Sequence, residues 1–353
     1  MQNQPMGVAI IGYGGIGRLH HKKWLTALPE FSLCGVWDIE RAACERAEED
    51  GLAVYASEEA LLADEAVSIV VVATPNDTHL PISLRAMKAG KHVICEKPVA
   101  LNTAELEQML ACAEENRVVF TVNQNRRWDE DFCRIVKTAE EQTIGEIYRV
   151  ESRVFGSRGI PGDWRKFRAC GGGMVFDWGV HLIDQALMFA GKRKLCSVSA
   201  ELDYIFGGEC DDGFSVTMTF EGGLSYLAEV RTNNYIEMPR WYVAGQNGTM
   251  LIQNWNCEGE IVRKLTEDAE AKPIAAATGM SKTMAPRAVE TIEHLPLPAV
   301  SADVADFYRH IRLAVLGQGS PDVLPDQLRR SMAVIEAVFR SAETHQAVTE
   351  FSF

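Results

Sequence analysis

An aspartate and a histidine stand four positions apart in a segment whose pattern is typical of a helix. Asp177 and His181 therefore share one helix face, with Asp184 another turn along. A carboxylate beside an imidazole suits proton transfer near neutral pH. Gly179 lies between them, where glycine costs a helix about 1 kcal/mol relative to alanine, so we expect a ligand to approach the backbone closely. A buried His–Asp hydrogen bond that only supports packing is the alternative interpretation.

A glycine pattern near the N-terminus predicts a dinucleotide site. Gly12-Tyr13-Gly14-Gly15-Ile16-Gly17 directly follows an apolar run and precedes a plausible helix. Gly12 makes the tight turn, Gly14 lets the backbone approach phosphate, and Gly17 lets the helix pack against the strand. The free N–H groups at the start of the helix hold a pyrophosphate. Asp38 ends the second predicted strand about 20 residues later, where a carboxylate binds a ribose diol and repels a 2′-phosphate, so NAD(H) is expected rather than NADP(H).

A polar turn leaves the carboxyl end of the third predicted strand, at the sheet edge where ligands bind. Its sequence is Ala73-Thr74-Pro75-Asn76-Asp77-Thr78-His79. The small and polar side chains are suited to line the cofactor. An ordinary turn in which Asp77 or Thr78 caps the next helix is the alternative, and both roles can coexist.

A lysine follows the fourth predicted strand at the same edge, in the segment Cys95-Glu96-Lys97-Pro98. The positive charge of oxidised nicotinamide and partial burial would both depress the pKa of the Lys97 amine. Such an amine can share or accept the proton of a substrate hydroxyl. Pro98 biases Lys97 away from helical geometry and favours a held position. Taken alone, the residue would be interpreted as a solvated surface lysine.

The elements that position these residues change character after residue 125. Up to that point short apolar strands alternate with helices, which predicts a doubly wound parallel sheet in a domain of residues 1–125. Beyond it, turns separate segments that resemble antiparallel strands, which predicts an α+β domain of residues 126–353 on an open antiparallel sheet. The fold class is therefore α/β plus α+β. The first set comprises predicted strands 7–12, 33–38, 68–73, 92–95 and 118–123 and helices 41–50, 80–89 and 103–116; the second comprises strands 147–155, 195–204, 214–220, 224–232, 241–245 and 249–254 and helices 129–142, 302–316 and 326–341, with a long loop at 264–298.

Length and composition limit the classes of function. A chain of 353 residues accommodates two domains, and a formal charge of −14 argues against nucleic-acid or anionic-membrane binding. The absence of an 18-residue apolar run or a leader-like N-terminus predicts a cytoplasmic protein. Nine cysteines without any C-x-x-C pair indicate reduced thiols and no metal site. An open sheet has a second face to cover, for which we expect an oligomer interface; a solvated polar face is the alternative.

Taken together, these segments strongly resemble the glucose-fructose oxidoreductase, inositol dehydrogenase and rhizopine catabolism (Gfo/Idh/MocA) family. The resemblance rests on the glycine turn, Asp38, the segment from Thr74 to His79, Glu96-Lys97-Pro98 and the Asp177-x-Gly-x-His181 helix, in the right order over essentially the whole chain. It implies a Rossmann domain, a C-terminal α+β domain that forms dimers or tetramers, and a bound NAD. The cofactor residues that it implies are Gly12, Gly14, Gly15, Ile16, Gly17, Asp38, Thr74, Pro75, Asn76, His79, Glu96 and Lys97.

The resemblance also implies a catalytic group of Lys97, Asp177 and His181 around a sugar or cyclitol hydroxyl. His181 would act as general base, Lys97 would orient and polarise the hydroxyl oxygen, and Asp177 would bind substrate hydroxyls. Whether Lys97 or His181 takes the proton stays open, because such a pair titrates as a coupled unit. The implied reaction is NAD-dependent oxidation of a secondary ring hydroxyl of a sugar, glycoside or cyclitol. The alternatives are a keto-sugar or inosose reductase, a non-catalytic regulator that binds NAD and sugar, and a glycosidase that oxidises transiently.

The segment Asn125-Arg126-Arg127-Trp128-Asp129 resembles that of scyllo-inositol dehydrogenase-like members of the family. Arg126 or Arg127 would offer paired donors to vicinal hydroxyls, and Trp128 or Trp164 would stack on a sugar ring. Tyr235 is a further candidate for the wall of the site. An inter-domain ion pair or a packed aromatic is the alternative for each of these residues. Asp38 departs from the pattern of the many members of this type that use NADP.

Overall fold

The computed structural model describes residues 4–266 and 273–351. Its N-terminal part is a five-stranded parallel sheet in the order β2-β1-β3-β4-β5, which confirms the predicted doubly wound fold. The elements are β1 Met6–Ile11, α1 Lys22–Ala27, β2 Phe31–Trp37, α2 Arg41–Glu49, α3 Glu58–Ala63, β3 Ile69–Val72, α4 His79–Lys88, β4 His92–Cys95, α5 Thr103–Asn116 and β5 Phe120–Val122.

Burial on both faces explains why these strands are short continuous apolar runs. In β1, Val8 and Ile10 pack into one hydrophobic cluster, whereas Ala9 and Ile11 pack into another on the opposite face. Helix α5 begins where the Asn102 side chain accepts a hydrogen bond from the backbone of Glu105 and so caps the helix. The sheet is thus a rigid support whose carboxyl edge carries the predicted turns.

The C-terminal part is an eight-stranded sheet in the order β15-β12-β11-β10-β6-β9-β8-β7. Its pairs are antiparallel except β6 and β9, which are parallel, so the sheet is mixed rather than purely antiparallel as predicted. The parallel pair is possible because a long crossover that contains a helix joins β6 to the later strands. The elements are α6 Glu130–Glu140, β6 Ile147–Phe155, α7 Val180–Ala190, β7 Leu195–Asp203, β8 Gly213–Phe220, β9 Ser225–Arg231, β10 Trp241–Gly245, β11 Gly248–Ile252, β12 Gly259–Lys264, β13 Ile274–Ala276, β14 Met280–Lys282, β15 Ile292–Pro296, α8 Ala305–Val315 and α9 Pro325–Thr344.

The predicted loop at 264–298 is wrong in part. Strand β15 pairs with β12 at the sheet edge, and β13 and β14 form a separate hairpin. Strand formation at an edge depends on a distant pairing partner more than on local propensity, which explains why this region lacks a clear local signal. Residues 267–272 lie outside the described part.

The two faces of the C-terminal sheet differ in chemistry. Alternate residues of β8 and β9, such as Val216 and Ala228, are buried in the cluster that also contains α7 and α9. The other face carries half-buried polar side chains, including Glu151 paired with Arg149 and Arg153. The predicted oligomer through this sheet stays a prediction.

Helix α8 follows the C-terminal sheet in sequence but packs against the Rossmann strands. Phe307, Tyr308 and Ile311 belong to the same buried cluster as Val8 and Ile10. The predicted domain boundary at residue 125 stays a prediction. Within the described ranges, no helix is both long and apolar enough to span a membrane, and the cytoplasmic location stays a prediction.

Candidate active site

A cavity of about 740 Å³ lies at the carboxyl ends of β1, β2 and β3. Residues of the Rossmann turns line one side, and a loop of the C-terminal part lines the other. The predicted cofactor residues among its lining are Gly12, Gly14, Gly15, Ile16, Asp38, Thr74 and Pro75; the loop residues are Asp163, Trp164 and Arg165. The cavity is of a size and position that suit a dinucleotide.

The glycine turn has the backbone that a pyrophosphate requires. Gly12 has a φ of +96°, and a side chain there would also strike the backbone of Ala73. A Cβ at Gly17 would collide with the carbonyl oxygen of Gly12. By contrast, a Cβ at Gly14 or Gly15 would meet nothing within 4 Å, so this stretch of backbone is open to an approaching ligand.

The carboxylate of Asp38 is fixed at the edge of this cavity. Its oxygens accept hydrogen bonds from the backbone N–H of Tyr13, at 2.6 Å, and of Glu40, at 2.8 Å. The negative charge is thereby held beside the glycine turn, where a ribose diol would bind and a 2′-phosphate would be repelled.

Asn76 and His79 are buried and bind the protein itself. The Asn76 amide donates to the carbonyl oxygen of Gly171 at 2.8 Å. The His79 ring lies between the carbonyl oxygens of Pro98, at 2.8 Å, and Thr74, at 3.0 Å. Burial lowers the pKa of His79. These contacts tie the turn after β3 to the turn after β4.

Lys97 and Asp177 meet across the two parts of the chain. The Lys97 amine donates to the Asp177 backbone carbonyl at 2.9 Å and to its carboxylate at 3.1 Å. Arg165 Nε lies 3.2 Å from the same carboxylate oxygen. Burial acts to raise the pKa of Asp177, but the two cations outweigh it and hold the pKa below its usual value. The Asp177 carboxylate is therefore ionised at neutral pH.

His181 is buried on α7, beside these charges. Burial first, and then the positive charges of Lys97 and Arg126, lower the pKa of His181 well below its usual value. The imidazole is consequently neutral at pH 7. Within the described residues its Nδ1 has no hydrogen-bond partner. Asp177 thus pairs with Lys97 and Arg165. The alternative interpretation, a hydrogen bond between His181 and Asp177, is not formed at His181 Nδ1.

A second cavity, of about 450 Å³, adjoins Asp177. Arg126, Trp178 and Trp255 line it together with the ends of β6 and β9. The Arg126 guanidinium lies 4.1 Å from the Trp178 ring centroid and 5.2 Å from that of Trp255. The Trp178 ring also packs edge-on against His181, at 6.1 Å between centroids. Aromatic faces beside the N–H donors of a guanidinium suit the binding of a ring that carries hydroxyl groups.

The other predicted substrate residues lie elsewhere. Arg127 is buried in a two-pronged ion pair with Asp184, at 2.7 Å for both bonds. Trp128 packs against Phe307 of α8. Trp164 lines the cofactor cavity, and Tyr235 is 79 % exposed in the loop after β9. Arg127 therefore forms a structural ion pair, although within the predicted domain of residues 126–353 rather than between domains, and Trp128 has the packed aromatic contact of its alternative interpretation.

Glu96 is also turned away from the cofactor cavity. Its buried carboxylate accepts hydrogen bonds from the side chains of His21, at 2.8 Å, and Asn123, at 2.6 Å. The Lys97–Pro98 peptide bond that follows is cis. Among residues 4–266 and 273–351, no group of three or more His, Cys, Asp or Glu side chains is arranged to hold a metal ion.

Three residues of the two cavities were not among those predicted from the sequence. Trp178 adjoins Asp177 in the predicted helix, so its position was a usable clue. Trp255 lies in the turn between β11 and β12, and Arg165 lies in the short 3₁₀ helix Trp164–Lys166. Only the tertiary fold brings the last two to the site.

Known proteins match both parts of the chain. Residues 6–124 match the oxidoreductase family with an NAD-binding Rossmann fold, and residues 132–251 match the GFO/IDH/MocA C-terminal domain. The chain is 26 % identical to the scyllo-inositol 2-dehydrogenase (NADP(+)) IolW of Bacillus subtilis, over 97 % of this chain and 95 % of that protein.

Solved structures extend the comparison. The crystal structure of an NAD-binding protein from Listeria innocua is 43 % identical, with a TM-score of 0.93 over 98 % of this chain and 100 % of that one. GenD2 from gentamicin A biosynthesis, in complex with NAD, is 25 % identical with a TM-score of 0.78, over 99 % of this chain and 97 % of that one. The chain belongs to the Gfo/Idh/MocA family of NAD(P)-dependent oxidoreductases.

Proposed function

We propose that this protein is an NAD-dependent dehydrogenase that oxidises a secondary ring hydroxyl of a sugar, glycoside or cyclitol to the ketone. The observation that carries the proposal is the contact between the Lys97 amine and the Asp177 carboxylate, which lines the second cavity, together with the buried, neutral His181 ring that feels the charge of Lys97. When bound, NAD supplies the hydride acceptor. Relatives that include a scyllo-inositol dehydrogenase support the substrate class.

The proposed roles follow from the protonation states. Two hydrogen bonds from Lys97 go to Asp177, and an ammonium group has a third N–H with which to orient a substrate oxygen. The ionised Asp177 accepts hydrogen bonds from neighbouring hydroxyls. The neutral His181 ring is the free proton acceptor, so we assign the hydroxyl proton to it. The reverse reduction of a keto-sugar would use the same groups.

The cavity beside Asp177 supports a ring substrate. Its volume of about 450 Å³ lies within the range of small-molecule sites. The rings of Trp178 and Trp255 supply apolar surface for the C–H face of a sugar, while Arg126 supplies donors for its hydroxyls. Substrate bound here would contact the Asp177 carboxylate and Trp178, whose ring packs against His181.

A substrate panel tests the proposal. Cyclitols, aldoses and glycosides are each incubated with NAD and with NADP, and NADH or NADPH is followed by its absorbance. We expect one of these classes to give NADH with turnover that depends on Lys97. Absence of turnover with every class, or sugar release without net NADH, would contradict the proposal.

We also propose that the protein is a homodimer or homotetramer built through the C-terminal sheet. Half-buried polar and charged side chains on the face away from α7 and α9 support this, because a self-complementary interface can pair them between copies. Light scattering during size-exclusion chromatography tests it. A monomer at micromolar concentration would contradict the proposal.

A further inference from the structure

A buried hydrogen-bonded chain lies directly behind the lysine turn. The Tyr308 hydroxyl lies 2.9 Å from His21 Nδ1, and His21 Nε2 lies 2.8 Å from the Glu96 carboxylate. Tyr308 belongs to α8, His21 to the turn that precedes α1, and Glu96 to the turn after β4. All three residues are buried. The chain joins a late helix of the sequence to the segment that carries the proposed catalytic amine.

The hydrogen bonds fix the direction of donation. The Glu96 carboxylate faces N–H groups of His21, Asn123 and the Lys97 backbone, so it acts only as an acceptor and is ionised. Burial opposes this charge, but the bonds from His21 and Asn123 and the charge of Lys97 keep the pKa of Glu96 below its usual value. His21 therefore donates from Nε2 to Glu96, and its Nδ1 shares a hydrogen bond with the Tyr308 hydroxyl.

Glu96 in turn holds Lys97. Its second oxygen accepts the backbone N–H of Lys97 at 3.2 Å, while the amine at the other end of the same residue is held by Asp177. A buried carboxylate that loses one of these donors is left poorly satisfied and can reorient. Movement of Glu96 would displace the backbone from which the Lys97 side chain extends.

We propose that Tyr308 and His21 are positioning residues for Lys97, acting through the Glu96 carboxylate. This inference rests on the function proposed above, in which the Lys97 amine orients the substrate hydroxyl. The two residues contact neither cavity, since they are absent from the lining of both. They therefore affect turnover without affecting the binding of NAD. The Tyr308 ring also packs in the core, but its hydroxyl is the part that the proposal needs.

The first test is Tyr308→Phe, which removes the hydroxyl and keeps the buried ring. Loss of one buried hydrogen bond is expected to lower kcat about three- to ten-fold while KM for NAD changes less than about two-fold. Tyr55→Phe is the matched control, because the Tyr55 hydroxyl donates to Asp64 at 2.7 Å in the same part of the chain, remote from Glu96. The control is expected to keep the kcat of the unaltered protein.

The second test compares His21→Gln with His21→Leu. Glutamine can still donate a hydrogen bond to Glu96, whereas leucine fills the space without any donor. We therefore expect His21→Gln to keep part of the kcat and His21→Leu to lower kcat about ten-fold or more. Unchanged kcat in Tyr308→Phe and His21→Leu would overturn the inference, as would equal losses in His21→Gln and His21→Leu. A rise in KM for NAD in parallel with loss of thermal stability would instead show a purely structural role and also overturn it.

Lys97→Met, measured in parallel, separates this inference from the proposed function. If Lys97→Met abolishes turnover and Tyr308→Phe does not change it, the positioning role fails while the proposed function stands. If Lys97→Met retains full turnover, the proposed role of the lysine is wrong, and the positioning role that rests on it is wrong as well.

Discussion

The amine of Lys97 is hydrogen-bonded to both the backbone and the carboxylate of Asp177, although the two residues are 80 positions apart. Lys97 lies in the turn after β4, and Asp177 lies in the π-helical turn before α7, the helix that carries His181. The contact therefore joins the Rossmann part of the chain to the C-terminal part at the proposed reacting centre. Lys97 and Arg165 together keep the Asp177 carboxylate ionised before any substrate arrives, because they hold its pKa below the usual value.

Replacement of the amine tests the centre most directly. Lys97→Met keeps the length of the side chain but removes every donor, so hydride transfer is expected to fall at least about a hundred-fold. Binding of NADH, measured by its fluorescence, is expected to stay close to that of the unaltered protein. Lys88→Met, which removes an exposed lysine from the end of α4, is the matched control and should keep full activity. Unchanged turnover in Lys97→Met would remove the lysine from the mechanism.

The charge of Asp38 is expected to determine cofactor preference. Asp38→Asn keeps the shape of the side chain and one acceptor oxygen for the Tyr13 and Glu40 backbones, but it lacks the negative charge that repels a 2′-phosphate. We expect the ratio of kcat/KM for NAD over NADP to fall about ten-fold or more. The ratio is measured with one substrate and both cofactors. A variant with the same ratio as the unaltered protein would refute the ribose assignment.

Arg165 is expected to serve both cavities. It lines the cofactor cavity and lies 3.2 Å from the Asp177 carboxylate, so Arg165→Gln should raise KM for NAD and lower kcat, each about three- to ten-fold. Arg158→Gln removes the same charge from an exposed position of the same loop and is the control. A change in KM for NAD alone would remove Arg165 from the orientation of Asp177.

The pH dependence of stability is expected to report Asp211. This buried carboxylate accepts the backbone N–H of Val175, at the turn that precedes α7, and burial raises its pKa to about 6. The folded protein therefore holds this proton more tightly than the unfolded chain, so stability falls as the pH rises from about 4 to about 6. Asp211→Asn cannot ionise, and we expect it to be more stable than the unaltered protein at pH 7, by up to about 3 kcal/mol.

Urea unfolding at about pH 4 and pH 7 measures this difference. At the lower pH both proteins are uncharged at this position, so their free energies of unfolding should agree more closely. If Asp211→Asn were less stable than the unaltered protein at pH 7, the carboxylate would be stabilising as an anion, and the assigned direction of its pKa would be wrong.

The sequence was sufficient where local chemistry and sheet order decide the outcome. The glycine turn, Asp38 and Lys97 all follow parallel strands, and parallel strands bring their carboxyl ends to one edge. The Asp177 helix was also visible from its spacing, although Val175–Gly179 is a π-helical turn before α7 rather than part of one α-helix.

The remaining features depend on contacts between distant segments. Strand β15 forms only by pairing with β12, and Trp255 and Tyr308 reach their positions through a hairpin turn and a late helix. Arg126 and Arg127 are consecutive arginines with the same chemistry. Tertiary packing alone places Arg127 against Asp184 and Arg126 in the lining of the cavity beside Asp177. No periodicity or spacing in a single sequence distinguishes such outcomes.

Trp255 is expected to determine affinity for the ring of the substrate. It is 51 % exposed, unusual for so large an aromatic side chain, and it lines the cavity beside Arg126 and Trp178. Trp255→Leu removes the flat face and is expected to raise KM for the substrate about ten-fold, with KM for NAD unchanged. Trp255→Phe keeps an aromatic face, so its KM for the substrate should lie between those of the unaltered protein and Trp255→Leu. If Trp255→Leu bound the substrate as tightly as the unaltered protein, the ring would have to sit against Trp178 alone.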